Sequence, residues 1–173
     1  MRGSHPIETA GPGPKAFTLV EVMVVVVIIG LLAAAGLPGY RHLTMRSKAT
    51  TLENDLRQFS TAIQTYTLQN GRWPASFDSS SIPADLASAL PAGFAQRSPI
   101  GGVYKWNYDP STSTPNVLGV PGKAGISVET VPGNAMDDDV ALLEMVDRQM
   151  DDGVLTSGLI QDGPSALVFV VEK

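Results

Sequence analysis

The sequence predicts an α+β protein: one long amino-terminal helix, with a membrane-spanning half and an amphipathic half, packed on a small antiparallel sheet head. Three observations carry this reading. Residues 17–37 form a run of 21 residues whose only charge is Glu21; as a helix it would be about 31 Å long, close to the hydrocarbon thickness of a bilayer. Apolar or small residues then recur at Met45, Ala49, Leu52, Leu56, Phe59, Ile63 and Tyr66, the alternating four- and three-residue spacing of a single helical face. Beyond residue 71, short apolar runs alternate with turn-rich segments, the texture of strands among shorter helices.

Residues 1–16, MRGSHPIETAGPGPKA, are rich in proline and glycine, a composition that neither packs nor forms a helix. They read as a leader. Valine and isoleucine dominate residues 17–37 and would make a poor helix in water, but unpaired backbone groups are so costly in lipid that a single span is driven to be helical. A buried core strand is the competing reading, and the length of the run counts against it. Polarity changes abruptly at Pro38, Gly39 and Tyr40, with Arg41, His42, Arg46 and Lys48 following, residues suited to a headgroup boundary. Pro38 is expected to bend the helix rather than end it. Asn70 and Gly71 supply the stop, and Trp73-Pro74 make continuation unfavourable. The organisation expected is therefore a leader (1–16), a transmembrane half-helix (17–37), an amphipathic half-helix (38–70) and a globular head (71–173).

The apolar stripe admits two uses, a coiled-coil seam or a face on which the head packs. Fewer than four full heptads and a weakly charged flank favour the head. Within residues 71–173, a short helix is expected over 82–90 with Pro83 at its first helical position. The best strand is VYKWNY, residues 103–108, whose alternation sets Tyr104, Trp106 and Tyr108 on one face. Strands are also expected at 125–131 and 166–171, with an amphipathic helix over 137–150 that buries Leu142, Leu143, Val146 and Met150. Residues 109–123 hold three prolines and two glycines and read as a loop.

The net charge is −5, and the head carries six basic against thirteen acidic side chains, so nothing points to nucleic-acid binding. Without cysteine there is no disulfide and no thiolate metal site. The only histidines are His5, in the leader, and His42, at the membrane boundary, which leaves the head without the commonest nucleophile and base arrangements and argues against an enzyme. No cofactor is assigned. Two aspartate trios, Asp137, Asp138 and Asp139, and Asp147, Asp151 and Asp152, could offer hard oxygen ligands to calcium, although their spacing matches no defined calcium loop. The simpler expectation is that the first trio caps a helix and the second is a solvated turn before Gly153.

The stretch Ala16-Phe17-Thr18-Leu19-Val20-Glu21, followed by an apolar run, Pro38 and Tyr40, resembles the amino-terminal processing motif of type IV pilins and of the pseudopilins of type II secretion. The resemblance implies that a prepilin peptidase cuts between Ala16 and Phe17 and methylates the new Phe17 amine, making Glu21 the fifth residue of the mature chain. It implies further that in a helical filament this amine lies beside Glu21 of a neighbouring subunit. Such a partner would offset the roughly 2.5–3.5 kcal/mol that a carboxylate costs in a span; the alternative for Glu21 is to reach the nearby headgroups unpaired.

On the same resemblance the partners are identical or related pilin-like subunits, the prepilin peptidase, an inner-membrane assembly platform and the bilayer. The location implied is the bacterial inner membrane, crossed once with the head outside the cytoplasm. Counting basic residues on either side of the span does not itself set that orientation. Ala16 replaces the family's usual glycine, and the chain lacks the carboxy-terminal cysteine pair of many pilins, which leans toward a secretion pseudopilin. A pilus subunit used in adhesion, motility or DNA uptake, and a single-pass anchored binding module, are the alternatives. A weaker similarity, to an acidic helix end and glycine turn of some pilin-like proteins, covers residues 146–158.

Overall fold

A computed structural model of the chain describes residues 17–111 and 113–173, without the side chains of Leu37 and Pro38. The expected leader, residues 1–16, lies outside the described residues. The apolar and amphipathic runs both belong to helix α1 (Leu19–Asn70). It ends as its sequence requires: Gly71 takes a left-handed φ of 66° and its N–H donates to the Thr67 carbonyl at 2.8 Å, a conformation that costs glycine little.

The described chain divides into two units, with the boundary between Arg41 and His42. In the first, thirteen large apolar side chains from Phe17 to Leu32 are each 50% to 85% exposed. This part of α1 is long and apolar enough to cross a membrane, and none of its apolar window is buried by other described residues.

The second unit joins the rest of α1 to the head. Its remaining elements are β1 (Phe77–Asp78), α2 (Ala84–Ala87), a 3₁₀ turn (Ala92–Ala95), β2 (Val103–Tyr108), β3 (Asn116–Val117), β4 (Val120–Pro121), β5 (Ala124–Glu129), α3 (Val140–Met150), β6 (Ile160–Gly163) and β7 (Ala166–Glu172). Five strands form one sheet in the order β1-β2-β5-β7-β6, with every neighbouring pair antiparallel. The α+β expectation holds.

The stripe on α1 is the face that meets the head. Ala49, Leu52, Leu56, Phe59, Ile63 and Tyr66 are all buried, and Met45 packs against the same core. From the sheet come Tyr104 and Trp106 of β2 and Ile126 and Val128 of β5, paired in register as Tyr104 with Val128 and Trp106 with Ile126. Phe59 sits at the centre, edge-on to Phe94 at 5.2 Å and to Tyr104 at 4.9 Å between ring centroids. The polar tips of the two largest buried side chains are satisfied: the Tyr104 hydroxyl donates to Asp55 on α1 at 2.7 Å, and the Trp106 indole donates to the Pro74 carbonyl at 3.1 Å. Burial and the Asp55 carboxylate together push the Tyr104 phenol well above its ordinary value, so it stays neutral as a donor.

The opposite side of β2 and β5 is polar and internally paired. Asn107 donates to Ser127, Ser127 donates to Glu129, and Lys105 meets Glu129 at 2.6 Å. Ser127 is fully buried and uses its hydroxyl in both directions, as a buried polar group must.

Two expectations need correction. The helix expected over 82–90 is only the four-residue α2, and Pro83 is its N-cap, with an extended ψ of 139°, rather than its first helical residue. Pro91, also extended, prevents continuation beyond Leu90. Residues 109–123 are more than a loop: β3 and β4 make a hairpin whose two-residue turn has both Leu118 and Gly119 at positive φ, the pattern of a primed turn. Val117 and Val120 are thereby buried with Ala166, Val168 and Val170 of β7 in a second, smaller core.

An ion pair links α1 to the segment before α3, Lys48 to Asp137 at 2.8 Å. The Lys48 hydrogen bond holds the Asp137 carboxyl below its ordinary 3.8, with partial burial acting in the opposite direction.

Two outcomes follow from this packing. Phe59→Ala, which empties the centre of the aromatic cluster, will lower unfolding stability by about 3–5 kcal/mol, read by urea denaturation of the full chain in detergent. A carboxyl with a depressed folded value stabilises above its unfolded value and loses that contribution as pH falls through the folded one. The wild type should therefore exceed Lys48→Met in stability near neutral pH, and the gap should close as pH drops below 3.8.

Candidate functional site

The start of α1 is built from a short local pattern. Thr18 stands just before the first helical residue, and Glu21 lies in the first turn. The Glu21 backbone N–H donates to the Thr18 hydroxyl oxygen at 3.2 Å, while Glu21 Oε2 accepts from the Thr18 backbone N–H at 2.8 Å and from its hydroxyl at 2.9 Å. This is a capping box, in which cap and third helical residue satisfy each other's orphan groups. The carboxylate also lies where the positive end of the helix dipole favours it. Its second oxygen, Oε1, has no hydrogen-bond partner among the described residues and is exposed with the rest of the turn. Glu21 is thus held in place by one oxygen and can accept a cation or donor at the other. Phe17, 85% exposed, is next to this turn, and Ala16 lies outside the described residues.

The aspartates behave differently from one another. Asp139 is the N-cap of α3, accepting from the Ala141 N–H at 3.0 Å; Asp137 pairs with Lys48; Asp138 is exposed. The capping expectation is met for the first trio through Asp139. The second trio departs from a solvated turn. Asp152 is exposed, but Asp147 is fully buried on the face of α3 that carries Leu142, Leu143 and Val146. Burial, reinforced by the charges of Asp152 and Asp151, raises its carboxyl from 3.8 to about 6; the amides of Gly153 and Val154 moderate this rise without closing a hydrogen bond on either oxygen.

Comparison with known proteins bears on the first of these sites. The prokaryotic N-terminal methylation motif matches residues 13–37, which include Phe17, Thr18 and Glu21. A type IV major pilin protein of Neisseria gonorrhoeae is 35% identical over 75 residues, 42% of this chain and 46% of that protein. A type IV major fimbrial protein of Dichelobacter nodosus is 29% identical over 134 residues, 57% of this chain and 84% of that protein. The chain is type IV pilin-like.

A fimbrial protein of Eikenella corrodens is 39% identical to the pilin-like chain over 72 residues, 42% of the chain and 47% of that relative. The chain thus spans about half the length of several curated relatives it matches. No solved structure matches it. These relatives are pilins and fimbrial proteins by name, not enzymes and not secretion pseudopilins.

The residue that sequence reasoning missed at this site is Thr18. Its signal was present, since Thr18-Leu19-Val20-Glu21 has the Ser/Thr-x-x-Glu form of a capping box. Pro38 lies within α1, its side chain outside the described residues. Removing the cap with Thr18→Val should leave α1 helical but fray its first turn. Exchange of the Glu21 amide, followed by hydrogen–deuterium exchange of the full chain in micelles, should speed up about 2- to 30-fold, whereas Thr18→Ser should stay close to wild type.

Proposed function

We propose that the pilin-like chain is a structural subunit of a type IV pilus, assembled through the apolar part of α1 after removal of residues 1–16. One observation carries the reading: the methylation motif coincides with a helix whose apolar side chains are exposed among the described residues. An apolar surface of that size needs lipid or other subunits around it. In the membrane it would be an anchor, and in a filament the same surface would be buried among neighbouring helices.

The names of the relatives support a pilus subunit over the secretion pseudopilin that the absent cysteine pair suggested. In this reading a prepilin peptidase cleaves between Ala16 and Phe17, the Phe17 amine is methylated, and an assembly platform in the inner membrane extracts the subunit with its head on the periplasmic side. Pro38 bends α1. The Phe17 amine of one subunit meets the Glu21 carboxylate of its neighbour. Both charges leave water together, which is tolerable only when they are paired. The capping box contributes by holding Glu21 Oε2 against its own backbone while Oε1 remains available to the neighbour's amine.

Mass spectrometry of the chain recovered from native membranes tests the processing step. The expected mature terminus is a methylated Phe17; an unprocessed chain beginning at Met1 would overturn the filament reading in favour of a simple anchor. Glu21→Gln should insert into membranes normally and fail to form filaments, as scored by electron microscopy of sheared cell-surface material.

A further inference from the structure

The loop after α3 gathers charge of one sign around a buried carboxylate. One carboxylate oxygen from each of Asp147, Asp151 and Asp152 lies within 4.8 Å of the other two. Asp147 is 0% exposed, and both of its carboxylate oxygens lack a hydrogen-bond partner. An isolated charge in that position is expensive unless something pairs with it. Among the described residues no cationic side chain acts on Asp147, and neighbouring Arg148 is engaged with Glu144 at 3.0 Å on the exposed side of the helix. The carboxy-terminal end of α3 adds further negative potential at the same place.

We propose that Asp147, Asp151 and Asp152 bind one calcium ion. The donors are all hard oxygens, with no nitrogen or sulfur among them, which selects calcium, magnesium or manganese over softer metals. Calcium holds oxygens at about 2.3–2.6 Å, so two of its ligands can stand up to about 5 Å apart, whereas magnesium, at about 2.0–2.1 Å, draws them within about 4.2 Å. Oxygens that lie within 4.8 Å of one another fall inside the calcium span, and titration with both ions separates the two.

The surrounding loop keeps the donors in place. Asp152 accepts from the Val154 N–H at 2.8 Å and from Ser157 Oγ at 3.0 Å, and Asp151 Oδ2 accepts from the Leu159 N–H. Gly158, at a φ of 80°, lies so close to the Asp151 carboxylate that a side chain there would displace it. Asp147 Oδ1 and Oδ2 and Asp151 Oδ1 are left for the ion, and each Asp152 oxygen, accepting one hydrogen bond, keeps a second lone pair for it. The cation would neutralise a buried acid that has no partner among the described residues and would join the end of α3 to the loop leading into β6.

The test uses the full chain in detergent micelles, stripped with EDTA and titrated with CaCl2 or MgCl2 by isothermal calorimetry and thermal melting. One calcium per chain is expected, with the melting midpoint rising by about 5–10 °C at a calcium concentration a hundred-fold above the dissociation constant. Asp147→Asn, which keeps the shape and removes the charge, should melt higher than wild type in EDTA and show no calcium shift. Asp152→Asn, on the exposed loop, should fold normally and need at least about ten-fold more calcium, so the test stands even if the buried variant fails to fold. Equal midpoints of wild type in CaCl2 and EDTA, a calcium shift that persists in either variant at wild-type concentration, or an equal shift with MgCl2 would each overturn the proposal.

Discussion

The packing of one face of α1 on the inner face of β2 and β5 is the contact on which the second unit depends. Short strands of two to seven residues make a sheet that could not hold together unaided, and a single helix in water gains most of its stability from what it packs against. Each supplies what the other lacks. Phe59, Phe94 and Tyr104 form the centre of that contact, and the hydrogen bonds from Tyr104 to Asp55 and from Trp106 to Pro74 keep the aromatic side chains from burying an unsatisfied polar atom.

The same helix carries two different apolar patterns along its length. From Leu19 to Leu32 it is apolar all round, the pattern of a segment surrounded by lipid or by other helices; from Met45 to Tyr66 its apolar residues narrow to one stripe, the pattern of a helix with one dry side. The change of pattern at residues 38–48, where Tyr40, Arg41, His42, Arg46 and Lys48 cluster, marks where a membrane-anchored subunit would leave the bilayer. Contacts with the head account for the second region, and among the described residues none account for the first.

Two carboxylates break the apolar patterns that surround them, and the fold treats them differently. Glu21 is secured by its own helix start, half satisfied by Thr18 and half open. Asp147 is buried on the apolar face of α3, and neither of its oxygens closes a hydrogen bond among the described residues. Departures from a local rule of this kind tend to mark function, because the fold gains nothing from them by itself.

Much of this was legible in the sequence, because periodicity reports directly on which side of an element is dry. The stripe, the alternation of Tyr104 and Trp106 and the apolar face of α3 each translated into burial, with Met45 and Met150, at the ends of their faces, only half-buried. The Thr18 cap was legible too, as a local four-residue pattern that depends on no distant contact. Tertiary structure decided what periodicity cannot encode. The hairpin of β3 and β4 exists because Val117 and Val120 find Val168 and Val170 across the sheet, and nothing in a proline-rich stretch announces that partner. Asp147 falls four residues after Leu143 and three before Met150, on the buried face, yet its isolation depended on where the chain beyond Gly153 turned back. The sequence alone determined which residues must leave water; only the fold decided which of the polar groups taken with them would find a partner, since a partner is a matter of distance between segments far apart in the chain.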